Sequence, residues 1–124
     1  NLCEQMEAEI IAFNPDCILL PAPCDAHSDH IAVAHAGQRV IPLAAENARV
    51  LCYELWTPLP VNRLLDVSEV FDRKINALTC YELPLSYVDY LAAAKGLAQY
   101  RGIQLPEGRG LAEGYLEWTS SSVN

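Results

Sequence analysis

Apolar positions recur at helical spacing through residues 2–13, where Leu2, Met6, Ile10, Ile11 and Phe13 share one stripe. The polar turn Asn14-Pro15-Asp16 ends that stripe. Cys17 to Pro21 is then apolar without alternation, which predicts a parallel strand covered on both faces. A second helix is predicted from Ser28 as N-cap, with Asp29 in its positive first turn, to about Val40 ahead of Pro42. Residues 48–56 read as a second strand, and residues 57–66 as a loop with a short extended piece. Asp66 and Glu69 have capping-box spacing in front of a stripe formed by Val67, Val70, Phe71, Ile75 and Leu78. Ser86 with Asp89 opens a further helix through Tyr90, Leu91, Ala94 and Ala98, and Gly102 after Arg101 stops it.

The order helix, strand, helix, strand, helix, helix predicts an α/β layered fold with a parallel sheet. Two or three strands make a narrow sheet, and a strand at 17–21 requires neighbours on both sides. The pattern therefore reads as half of a larger sheet, and Asn1 in place of a methionine fits a processed chain or a segment of a longer one. One domain is expected over residues 1–118, followed by a disordered polar tail at 119–124.

Composition narrows the function classes. The 124 residues are 52% hydrophobic, enough for a core. No run approaches the roughly 18 apolar residues of a membrane span, which predicts a soluble protein without a membrane partner. A formal charge of −8 with scattered Lys and Arg argues against a nucleic-acid partner, whose phosphates need a clustered basic patch. The cysteines Cys3, Cys17, Cys24, Cys52 and Cys80 form no C-x-x-C pair. They read as reduced, mostly buried thiols of a cytoplasmic protein, Cys24 excepted because it adjoins a polar cluster.

That cluster carries the chemistry. Asp25, His27, Asp29 and His30 follow directly on the predicted strand, where an open parallel sheet binds its ligands. An imidazole nitrogen is a good zinc ligand, and a second histidine beside it can hold an oxyanion or carry a proton. Asp25 or Asp29 could orient a histidine from behind. The same residues also suit a polar loop that caps a helix. His35 lies on another side of the helix and reads as a surface or packing residue. The H-x-H-x-D-H cluster of the metallo-β-lactamase fold fits poorly, because Asp25 stands in its first place and no histidine follows His35.

The surroundings resemble the PIG-L/LmbE-like zinc-dependent de-N-acetylases. The similarity runs through "NPDCILLP", "DAHSDHIAVAHA", "VLCYELWTPLPVNRLLDVSEVFDRKINAL", "YRG" and "AEGYLEW", in the order of that family's C-terminal half, with A-H-x-D-H opening a helix. The resemblance implies a Rossmann-like three-layer α/β fold with a mostly parallel sheet, of which this chain holds the C-terminal half. It implies hydrolysis of the N-acetyl group of an amino sugar or its conjugate by zinc-activated water. His30 would be a zinc ligand, His27 would stabilise the oxyanion or protonate the leaving amine, and Asp29 would support histidine orientation.

Two departures accompany the likeness. The family's amino-terminal H-P-D-D-E motif, with its other zinc ligands and general base, is absent, so the zinc site is incomplete and the isolated chain is expected to be inactive. Where many members have a histidine followed by Ser-Gln, this chain has Cys80, Tyr81 and Glu82. The alternatives are a non-catalytic α/β domain that keeps the fold for partner binding or dimerisation, and a small metal module with carboxylate ligands. A homo-oligomer or an amino-terminal segment is expected to cover the sheet edge. Trp56, Tyr53 and Tyr81 are undecided between substrate contact and packing.

Overall fold

The computed structural model describes residues 1–119; the tail expected at 119–124 lies, apart from the backbone of Thr119, outside the described residues. The elements run α1 (Leu2–Phe13), β1 (Cys17–Pro21), α2 (Ser28–Ala44), β2 (Arg49–Tyr53), β3 (Arg63–Asp66), α3 (Phe71–Thr79), α4 (Glu82–Leu85), α5 (Tyr90–Gly102) and β4 (Ala112–Thr119). The fold is α/β with a four-stranded sheet in the order β1-β2-β4-β3. Internal contacts divide the chain into two compact units, Asn1–Arg63 with the strand from Tyr115, and Leu64–Gly114. Among the described residues no helix is long and apolar enough to cross a membrane.

In the first unit, α1 ends where its stripe does. Asn14 adopts the left-handed conformation (φ 49, ψ 61), and its amide donates to the Ile10 carbonyl at 2.8 Å, which closes the helix. β1 and β2 pair in parallel, with Ile18 beside Val50 and Leu20 beside Cys52. β2 and β4 pair antiparallel, with Cys52 beside Leu116 and Val50 beside Trp118. The same face of all three strands therefore carries the core, where Ile10, Leu20, Val40, Ile41, Val50, Cys52 and Leu59 are buried together. Gly37 permits α2 to lie close on this face, since a Cβ there would stand 2.6 Å from a Leu20 methyl.

Several expectations change. β1 is not covered on both faces, because Cys17 and Leu19 point away from the core and Leu19 is 57% exposed. The sheet is mixed rather than mostly parallel, because β4 enters antiparallel. α2 continues through Pro42 to Ala44. Pro42 stands in the last turn, where it forfeits the hydrogen bond to the Gln38 carbonyl and its ring crowds that carbonyl, so the disturbance falls at the helix end. Three of the five thiols are exposed, only Cys52 is buried, and Cys3 lies between. Cys17 lies on the open sheet face, Cys24 in the loop after β1, and Cys80 at the end of α3.

In the second unit, Val67, Phe71 and Ala98 form a small core with Ile75 and Leu111 against it. Asp66 does not cap α3. Its Oδ1 accepts the Ser68 amide at 2.9 Å and the Ser68 hydroxyl at 2.6 Å, and α3 starts only at Phe71. The Ser68 hydroxyl oxygen also accepts the Leu111 amide at 2.9 Å, which joins this turn to the approach to β4. Asp89, not Ser86, caps α5, through the Ala92 amide at 3.0 Å.

Candidate active site

The chain leaves β1 through a turn in which the Asp25 amide donates to the Ala22 carbonyl at 3.1 Å. That turn buries Asp25 to 4% exposure while its neighbours Cys24, Ala26 and His27 stay exposed. A buried carboxylate must have its oxygens satisfied, and this one has three donors. Oδ1 accepts the His27 amide at 2.9 Å and meets His30 Nδ1 at 3.1 Å, and Oδ2 accepts the Trp56 amide at 3.3 Å. Burial pushes the Asp25 carboxyl up, but the amides of His27 and Trp56 and the His30 ring outweigh it, so the group titrates below the usual carboxylate range.

An ionised Asp25 only accepts, so His30 Nδ1 carries the proton in this contact, and the neutral ring presents the lone pair of Nε2. A carboxylate behind one ring nitrogen is the arrangement that fixes and strengthens an imidazole as a metal ligand. His30 sits in the first turn of α2 and is half-buried.

His27 is held in the opposite sense. It precedes α2 with extended backbone (φ −98, ψ 128), and its Nδ1 accepts the Asp29 amide at 3.2 Å. The N-cap expected at Ser28 is therefore the histidine itself. With Nδ1 accepting, the neutral ring carries its proton on Nε2 and offers a donor. The two imidazoles lie side by side, centroids 4.8 Å apart and planes inclined by 33°. One presents an acceptor and its neighbour a donor.

Asp29 is exposed; its amide holds His27, and its carboxylate accepts the Ser28 hydroxyl at 3.4 Å. Its charge lies in the first turn of α2, where the helix dipole favours an anion. The carboxylate on a histidine ring is Asp25, and sequence spacing alone does not separate the two. The deciding contact, the Trp56 amide, comes from 31 positions later in the chain.

The loop after β2 borders the cluster. Glu54 accepts the Leu59 amide at 2.7 Å, which shapes the loop, while Leu55 and Trp56 are 51% and 43% exposed. Burial pushes the Tyr53 hydroxyl up, and the charge of Asp25 adds to this, so Tyr53 keeps its proton. His35 is exposed further along α2, as expected, and lines a different cavity with Leu2 and Arg39. Cys80 and Tyr81 are exposed at the end of α3, in the second unit.

Among the described residues no group of three or more His, Cys, Asp or Glu side chains is placed to hold a metal ion. Among the described residues the cluster does not fit a complete zinc site.

No family model matches the chain, and no curated protein matches it. Solved structures do. A conserved protein of Thermus thermophilus superposes with a TM-score of 0.80 at 18% identity, over 93% of this chain and 57% of that one. The 4-carboxy-2-hydroxymuconate hydratase GalB from Pseudomonas putida gives 0.74 at 20% identity, over 94% and 57%. The N,N'-diacetylchitobiose deacetylase from Pyrococcus horikoshii, complexed with its inhibitor, gives 0.77 at 12% identity, over 99% and 53%. The chain shares this fold and spans little more than half the length of these structures. A hydratase and a deacetylase share it, so the fold alone does not select a reaction.

Proposed function

We propose that this chain forms part of a zinc-dependent hydrolase that removes the N-acetyl group from an N-acetylated amino sugar or its conjugate. The observation that carries the reading is the paired setting of His30 and His27, one ring backed by buried Asp25 and the other capping α2. The fold shared with a diacetylchitobiose deacetylase supports it.

His30 would supply one metal ligand through Nε2, and the remaining ligands would come from outside the described residues. A bound zinc lowers the pKa of a water to about 7 and so provides a nucleophile at neutral pH. Asp25 holds the His30 ring in one orientation. His27 would donate Nε2–H to an oxygen that gains negative charge; to give a proton to the departing amine it would have to be the imidazolium, releasing the Asp29 amide from Nδ1. Asp29 fixes His27 through its backbone amide.

The roles separate experimentally in protein expressed from its complete coding sequence. His27→Ala is expected to retain zinc while kcat falls about 10²–10³-fold, the usual cost of one oxyanion donor. Loss of zinc from that variant, or an unchanged kcat, would remove His27 from this role.

A second reading is favoured by the exposed Leu19 and Cys17 on the open face of β1. In it the domain is non-catalytic and docks a second copy or another polypeptide there. A dimer in solution that Leu19→Lys dissociates, without acetate release from N-acetylglucosamine, would support that reading over hydrolysis.

A further inference from the structure

The open face of the sheet carries a charge arrangement that the histidine cluster leaves unused. Leu51 pairs with Leu19 on one side and with Glu117 on the other, so these three side chains form a row turned away from the core. Glu117 is almost buried in that row, and it ties down an arginine from each flanking strand. Its Oε1 accepts Arg49 Nε of β2 at 2.7 Å, and its Oε2 accepts Arg63 Nε of β3. Its backbone is pinned as well. The amide donates to Asn62 Oδ1 at 2.8 Å, and the carbonyl accepts from Asn62 Nδ2 at 2.9 Å. The arginine contacts hold the Glu117 carboxyl below its usual range, so it stays charged near neutrality. One carboxylate between two guanidinia leaves the triad with one net positive charge, in a chain whose formal charge is −8. Anchoring β4 would need only one of the two arginines.

We propose that Arg49 and Arg63, braced by Glu117, form a binding site for a single phosphate group of a small molecule. A guanidinium carries five N–H donors, and here Nε commits one of them to Glu117. The two side chains remain 59% and 62% exposed, so donors stay open to solvent. Guanidinium donors match the spacing of phosphate oxygens, and a tetrahedral phosphate has oxygens enough to bridge two of them. The shared carboxylate holds both arginines in place before the ligand arrives, which lowers the ordering cost of binding. The positive charge is local and single, and the acidic remainder of the chain repels a string of phosphates or an anionic membrane. One isolated phosphate is the oxyanion that suits it. Arg49 stands opposite Cys17 at the start of β1, whereas the histidine cluster follows the end of that strand. The phosphate site therefore does not depend on the hydrolase reading.

NMR of the arginine Nε–H groups on the full chain tests this without requiring turnover. Inorganic phosphate and glycerol 2-phosphate are the probes, with chloride at matched ionic strength as the control. The expected result is a saturable shift of both the Arg49 and Arg63 signals with either phosphate and none with chloride. Arg49→Gln and Arg63→Gln, with folding checked by circular dichroism, should each weaken phosphate binding on the order of tenfold, which corresponds to about 1.4 kcal/mol. Equal shifts with chloride would reduce the effect to screening of charge and overturn the site, a result read on the unaltered chain alone. Unchanged affinity in a folded Arg63→Gln or Arg49→Gln overturns it too. A short single-stranded DNA that binds these arginines more tightly than inorganic phosphate would overturn the restriction to one phosphate.

Discussion

Asp25 is the residue on which the cluster depends. It is buried, charged and satisfied by three donors from three positions, and each donor loses its partner if the carboxylate is removed. Asp25→Ala is therefore expected to destabilise the chain by about 1.5–3 kcal/mol in urea unfolding, the contribution of hydrogen bonds to a charged group. Asp29→Ala gives up a dipole interaction at an exposed helix start and is expected to cost about 0.3–1 kcal/mol. The difference has a pH signature. Asp25 titrates below its ordinary value when folded, so its contribution is fully present above about pH 3.9. That contribution is lost as pH falls through the depressed folded value. The gap between Asp25→Ala and the unaltered chain should be level near neutrality and close only on strong acidification. The two histidines should also be opposite tautomers. Long-range nitrogen–proton NMR at a pH where both are neutral is expected to find the proton on Nδ1 of His30 and on Nε2 of His27. The same tautomer at both would break the donor–acceptor pairing. The sequence marked His27, Asp29 and His30 by spacing and resemblance. It did not mark which aspartate lies behind which ring, because that is decided by a loop folding back from a distant strand.

At the scale of elements, helices and strands with strong periodicity were legible, and those whose signal is diluted were not. α1 and β1 follow their apolar runs closely, and β2 occupies the middle of its predicted stretch. β4 was missed although it alternates. Ala112, Gly114, Leu116 and Trp118 fall on one face and Glu113, Tyr115 and Glu117 on the other, and the small Ala and Gly together with an outward Tyr blur the pattern. Glu117 anchors this strand. It accepts from Arg49 Nε at 2.7 Å and from Arg63, and these contacts hold its carboxyl below the usual range. Glu117→Gln should lower the melting temperature at low salt, and the difference should shrink near 1 M salt, where the screening length falls to about 3 Å. In the second unit, α5 offers a matched pair of glycines. A Cβ on Gly102 would lie 2.0 Å from the Gly110 carbonyl oxygen, whereas one on Gly96 would meet nothing within 4 Å. Gly96→Ala is expected to stabilise by about 0.8–1.0 kcal/mol, the helix-propensity difference. Gly102→Ala should destabilise clearly, because backbone must move. Thermal unfolding of the two variants checks both signs.

For the whole molecule, the α/β class was legible because helix-period and strand-period segments alternate along the chain. The superpositions cover 53–57% of the neighbouring structures. The mixed strand sense was not legible, because the direction of β4 is set by how the chain returns from α5 and not by any residue within it. No group of three metal-binding side chains is placed together among the described residues, so the proposed zinc site turns on His30. The most direct test measures zinc content and acetate release from N-acetylglucosamine for protein expressed from its complete coding sequence, unaltered and as His30→Ala. About one zinc per chain and acetate release are expected in the unaltered protein, with both lost in His30→Ala. Acetate release that survives His30→Ala, or an unaltered protein that neither binds zinc nor releases acetate, would contradict the proposal.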